Sequence, residues 1–213
     1  MILNEFAKEV HANAREHGWW DTDRDNAEVI ALIHSEWSEA LEEYRAGRPM
    51  VWHACDEAPD GVVGVCNPAD EFDCRNYGHE DECKYRNHKP EGIAVELLDG
   101  CIRIFDYIGR QGKIIRGFDT LEELMSISPE AACKVSLPRL VANMHLKTSQ
   151  AYTMLQQSGA APEFVQRGCA TLFEAVGVTC AWIKEQGLDP EAIMLQKHEY
   201  NKSRPYKHGG KVC

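Results

Sequence analysis

The chain has 213 residues and a formal net charge of −11, enough length for one full core or two small halves packed together; the excess of acids argues against non-specific binding to nucleic-acid polymers. Hydrophobic residues make up 44% and charged residues 27%, the proportions of a globular chain, and no apolar run approaches the ~18 residues a membrane helix needs. The start Met1 to Lys8 lacks the basic-then-apolar order of a signal peptide, so the expected location is the cytoplasm, where most of the nine cysteines would be reduced core thiols.

In chain order, Leu3 to His17 reads as a first helix, with Phe6, Val10 and Ala14 on one face and Gly18 as its stop. Trp19 and Trp20 follow at a junction; such a pair can stack a nucleobase, although packing between helix ends is the commoner use. Asp21 to Asn26 supplies capping residues for a second helix, which Gly47-Arg48-Pro49 ends. Along that helix Val29, Ile30, Ile33, Trp37, Ala40, Leu41 and Tyr44 recur at three- and four-residue steps and form one apolar stripe. Glu36 projects between Val29 and Ala40, with Glu43 close beside it and Glu39 on the near edge. An ionised carboxylate without partners is too costly to bury, so this face calls for cations, and several acids together point to a divalent metal. A surface helix with glutamates on its margin is the plain alternative.

The stretch 51–90 is a polar insertion without long periodicity. It carries Cys55, Cys66, Cys74 and Cys83 together with His53, His79 and His88. The cysteines suggest a structural Zn²⁺, but their gaps match no CxxC knuckle, and a loop with free thiols fits as well. Between Glu91 and Arg110 a third helix places Glu96 and Asp99 one turn apart, and Arg103 and Asp106 continue the same face. Ile93, Leu97, Cys101, Ile104 and Ile108 flank it on one side, Val95 and Ile102 on the other. The pairs Glu36-x-x-Glu39 and Glu96-x-x-Asp99 could meet across a helix bundle and hold Mg²⁺ through oxygen ligands.

After a connector at 112–118 come a short helix at 119–125, a break at Ser128-Pro129 and two longer helices at 138–157 and 162–186. These look like a worn copy of the acidic pair. Aligning His34 with His145 also matches Ala31 with Ala142, Ser38 with Ser149 and Ala40 with Ala151; on the partner helix Leu97 matches Leu172 and Ile108 matches Ile183. Glu36 then falls on Lys147, Glu39 on Gln150 and Glu96 on Thr171, while Asp99 keeps an acidic counterpart, Glu174. Chance likeness between amphipathic helices is the competing explanation. In either case Leu140, Met144, Leu155, Phe164, Leu172, Phe173, Val176, Trp182 and Ile183 need burial. Gly187 to Pro190 breaks the chain, a last helix runs over 191–200, and a basic segment closes it. Its Lys197, Arg204, His208 and Lys211 suit phosphate oxygens, and Gly209-Gly210 permits close backbone approach; a solvated tail is the alternative.

An ExxE helix followed by an ExxD helix, with the Lys197-to-Lys211 end segment, resembles the MazG-like all-α nucleoside triphosphate pyrophosphohydrolases, a group that includes the dimeric dUTPase-like enzymes. The resemblance covers the helical first half and the end segment. It implies a single all-α domain over 1–213: an acidic metal-binding half at 1–112, a degenerate helical half at 113–187 and a basic segment at 188–213. It further implies Mg²⁺, with Mn²⁺ as substitute, on Glu36, Glu39, Glu96 and Asp99, and hydrolysis of a nucleoside triphosphate, with a deoxynucleotide favoured, to monophosphate and pyrophosphate. Lys197, Asn201 and Arg204 become phosphate-binding candidates, followed by Tyr206, His208 and Lys211. Glu39 or Glu43 would orient the attacking water. Family members pair protomers, so either a homodimer or an intrachain pseudo-dimer is expected. No P-loop, nucleophile elbow or cysteine-nucleophile signature is present. His34 is the histidine nearest the acids, where a hydrogen-bonded packing role is the commoner one. Two other readings stay open: a non-catalytic helical adaptor with a zinc loop, and a hydrolase of another phosphorylated metabolite.

Overall fold

A computed structural model describes residues 1–54, 89–112, 117–157 and 162–207. Cys55, Cys66, Cys74 and Cys83, and at the C-terminus His208 and Lys211, lie outside the described residues. The architecture is all-α: eight helices and one two-stranded ribbon among the described residues.

The fold is built round α3 (Ile93–Arg110), on which only Asp99, Arg103, Asp106, Gly109 and Arg110 escape full burial. A helix with so narrow a polar stripe has to be packed on several sides. α1 (Leu3–Glu16), α2 (Asn26–Arg45), α7 (Pro162–Glu185) and α8 (Pro190–Ser203) all lie against it. α6 (Leu137–Gln156) joins α2 to α7, and the short α4 (Leu121–Ser126) and α5 (Glu130–Cys133) cover α7. The buried side chains form one continuous core. Cys101, Cys133, Cys169 and Cys180 are buried cysteines within this fold. Among the described residues no helix is long and apolar enough to cross a membrane.

Local signals explain where the helices begin and end. The Asp25 side chain accepts from the Glu28 amide and starts α2, Thr120 and Glu123 form a reciprocal capping box on α4, and Asp189 caps α8 ahead of Pro190. Gly18 ends α1 at φ +78°, with the Tyr206 ring packed against its bare α-carbon; any side chain there would meet both the left-handed backbone and the ring. The insertion is fastened at its ends. Trp52–Ala54 (β1) pairs antiparallel with Lys89–Glu91 (β2), Trp52 opposite Glu91 and His53 opposite Pro90. Three-residue strands carry too little alternation to show in the sequence.

Most residues expected to need burial are buried, but Phe164 is only half-buried, because it sits in the first turn of α7, ahead of Gly168, where that helix meets Leu155. The apolar stripe of α2 also ends earlier than its periodicity suggests: Ala40 is buried and Tyr44 is exposed.

Among the polar contacts that join α2 to α6, two stand at the same sequence offset. The buried Trp37 indole donates to Thr148 Oγ1 at 3.0 Å, and the His34 and His145 rings meet edge to edge, nearly coplanar, with Nδ1 to Nδ1 at 2.7 Å. Burial holds both histidines below the usual imidazole range, so a neutral pair shares one N–H···N bond. Both contacts link positions 111 residues apart.

Candidate metal centre

α2 and α3 pack closely because α3 has a glycine, Gly100, where the Trp37 ring presses on it. Each helix then turns its acids to the other. Single carboxylate oxygens of Glu36, Glu39 and Glu96 all lie within 4.8 Å of one another, with Glu39 exposed and the other two buried. Asp99, one turn after Glu96, lines the same cleft and faces α8: its Oδ2 is 3.1 Å from Lys197 Nζ and its Oδ1 accepts from Asn201 Nδ2 at 3.4 Å.

Within this site the charges are largely compensated. Arg103 Nε donates to Glu36 Oε1 at 2.5 Å. Lys197 is buried beside Asp99, stands 3.9 Å from Glu96 Oε1 and donates to the Pro90 carbonyl at 3.2 Å. Burial pushes Glu36 up to about 7, with the charges of Asp99 and Glu39 adding to the rise and Arg103 opposing it. Burial likewise pushes Glu96 to about 9, despite Lys197. Its hydrogen bond to Glu91 raises Glu96 further and lowers Glu91, so Glu96 carries the proton and Glu91 accepts it. For Asp99, burial alone would raise the value, but Lys197, Arg103 and Asn201 together hold it below the ordinary range. The surrounding acids raise Lys197 and Arg103 in turn, against burial.

The donor set fits a hard divalent ion. All the donors are carboxylate oxygens, the preferred ligands of Mg²⁺ and Mn²⁺. Two ligands on opposite sides of Mg²⁺, each ~2.1 Å from it, stand ~4.2 Å apart, so the 4.8 Å spread requires only small rotamer changes. The ion would replace the protons on Glu36 and Glu96 and compete with Arg103.

The acids line a cleft of about 170 Å³, whose walls include Asn13, His17 and Trp19 near the end of α1, Lys89 on β2 and Arg204 after α8. The other sequence candidates fall in different places. Glu43 does not line this cleft; its carboxylate accepts from Trp52 Nε1 at 2.6 Å and fastens β1 to α2, whereas Glu39 is on the cleft wall. Lys197 serves the carboxylates, and Asn201 orients Asp99. Arg204 lies on the cleft wall, and its carbonyl accepts from His17 Nε2 at 2.9 Å. Tyr206 is exposed and its hydroxyl donates to Asp21, away from the acids. His34 belongs to the α2–α6 contact.

Two roles are not legible in the sequence. Arg103 was visible only as a continuation of the acidic face, four residues after Asp99. The two tryptophans also divide their roles: Trp20 Nε1 donates to both oxygens of Asp106 at 2.9 and 3.1 Å, His11 binds the same carboxylate at 2.7 Å, and Arg110 lies 4.4 Å from the Trp20 ring. Trp20 is thereby committed to packing, while Trp19 is on the cleft wall. Comparison of the chain with protein-family models, with curated proteins and with solved structures finds no match.

Proposed function

We propose that this protein is a MazG-like pyrophosphohydrolase that uses Mg²⁺ to cleave a nucleoside triphosphate, with a deoxynucleotide favoured, between its α- and β-phosphates in the cytoplasm. The observation that carries this reading is the meeting of Glu36, Glu39 and Glu96 within 4.8 Å, with Asp99 beside them, in a cleft that also presents Arg103, Lys89 and Arg204.

Bound Mg²⁺ would supply charge neutralisation on the phosphate oxygens. The protein's own groups do the rest. Glu36, Glu39 and Glu96 would hold the ion, with Asp99 beside them fixed by Lys197 and Asn201. Exposed Glu39 accepts a proton from water as its oxygen attacks the α-phosphorus; the bond from that phosphorus to the α–β bridging oxygen breaks, and pyrophosphate leaves. Arg204 and Lys89 offset the charge on the departing group. Trp19, on the cleft wall with the Arg24 guanidinium 5.4 Å from its ring centroid, is the candidate to stack the base.

The pseudo-dimer reading draws support from two contacts. His34 touches His145, its aligned counterpart, and Trp37 touches Thr148 at the same offset of 111. In the second helix pair Lys147, aligned with Glu36, pairs with Glu174, aligned with Asp99, at 2.8 Å. On this reading an ion pair has replaced the metal site, and the second half survives as scaffold.

The test is Mg²⁺-dependent hydrolysis over the common ribo- and deoxynucleoside triphosphates, with monophosphate plus pyrophosphate resolved from diphosphate plus phosphate. Glu39→Gln and Glu96→Gln should each lower pyrophosphate release by roughly 100-fold or more. A folded, metal-loaded protein that releases none from any nucleotide overturns the proposal and favours the adaptor.

A further inference from the structure

The ion pair between Arg103 and Glu36 is lopsided. The Glu36 side chain is 4% exposed and the Arg103 side chain 38%, so a buried carboxylate is compensated by a cation that still reaches the cleft. Lys197 differs: 2% exposed and donating to the Pro90 carbonyl, it is fixed in place. Arg103 is also drawn to Asp99 and Glu39 and therefore faces the region that a divalent ion would occupy. Two cations cannot both hold Glu36 at full strength. The doubly charged ion, bound by several carboxylates, prevails, and the displaced guanidinium is left within the substrate cleft. Its planar fork matches phosphate oxygens in a way an ammonium does not.

We propose that Arg103 couples metal to substrate: it neutralises Glu36 until a divalent ion takes that carboxylate, and its guanidinium then binds phosphate oxygens of the triphosphate. This inference rests on the metal and substrate assigned under the proposed function. Its thermodynamic consequence is positive coupling, in which each ligand tightens the other by the same factor.

Arg103→Gln separates the two roles. Mn²⁺ alone, titrated at pH 8 with free ion followed by electron paramagnetic resonance, should bind this variant roughly 2- to 5-fold more tightly than wild type, because a competing ion pair worth up to about 1 kcal/mol is gone. In Mn²⁺-saturated protein, α,β-methylene deoxynucleoside triphosphates should bind roughly 10- to 100-fold more weakly, the loss of a charge-assisted contact. A merely structural arginine would lower both affinities. Arg103→Lys keeps the charge and loses the fork, so it should show smaller changes in the same directions; it also serves as the test if the glutamine variant does not fold. Unchanged or weaker Mn²⁺ binding in a folded variant overturns the counter-ion role, and unchanged analogue binding overturns the phosphate role. If wild type binds Mn²⁺ but no analogue, the nucleotide reading falls while the competition at Glu36 stands; if it binds no Mn²⁺, the metal reading itself falls.

Discussion

Trp37 packs against the bare α-carbon of Gly100: a Cβ placed there would stand 2.6 Å from an indole ring carbon. A glycine inside a helix gives up about 1 kcal/mol of helix propensity relative to alanine, yet here it sets the spacing at which Glu36 and Glu39 reach Glu96. Gly100→Ala should therefore cost about 1–3 kcal/mol by overpacking, despite alanine's better propensity, and should weaken Mn²⁺ binding by parting the two helices. Urea unfolding and an Mn²⁺ titration check both effects; a variant more stable than wild type would show that the helices tolerate the wider spacing.

The raised values of Glu36, about 7, and Glu96, about 9, fix the sign of a pH effect. Both carboxyls hold protons more tightly in the folded chain than in the unfolded one, so above the usual carboxylate range the native state binds the extra protons and metal-free stability falls as pH rises toward 9. Divalent binding needs those protons released and so runs the other way. Melting scans from pH 6 to 9 should show a stabilisation by Mg²⁺ that grows with pH, relative to the same protein in chelator. A constant increment would contradict these environments.

Lys197→Met tests whether that lysine serves phosphate or the fold. It is 2% exposed against Asp99, and removing one partner of a buried pair costs about 3–5 kcal/mol. Chemical denaturation should show a loss of that order. Full stability combined with a raised KM would return Lys197 to the phosphate-binding role suggested by its place in the basic segment.

Glu39 and Glu43 lie one helical turn apart and should respond differently. Glu39→Gln is expected to lower kcat by roughly 10²–10⁴-fold, the range for a lost general base. Glu43→Gln, whose carboxylate accepts from Trp52, should leave kcat near wild type and cost about 1 kcal/mol of stability. Steady-state kinetics on both variants decide the assignment.

The acidic face was legible because period and chemistry disagree at Glu36 and Glu96: apolar spacing directs these positions inward while their side chains demand a cation. What Arg103 and Lys197 do was not legible. Their partners come from other helices, and which carboxylate each meets depends on how α2 and α8 are set against α3. The end segment read as basic and phosphate-facing, but α8 buries Lys197 and Tyr206 is held at Asp21. The β1–β2 pair escaped notice for another reason: its strands are three residues each and lie at opposite ends of the insertion.

That small ribbon also reaches into the site. With β1 and β2 paired side by side, and Gly92 leading directly from β2 into α3, the chain leaves the helical body and re-enters it at adjacent points. From the second strand the Pro90 carbonyl accepts from Lys197 Nζ, and Glu91 is hydrogen-bonded to Glu96. Loosening the ribbon would therefore be felt at the acids, across the single residue Gly92 that separates β2 from α3.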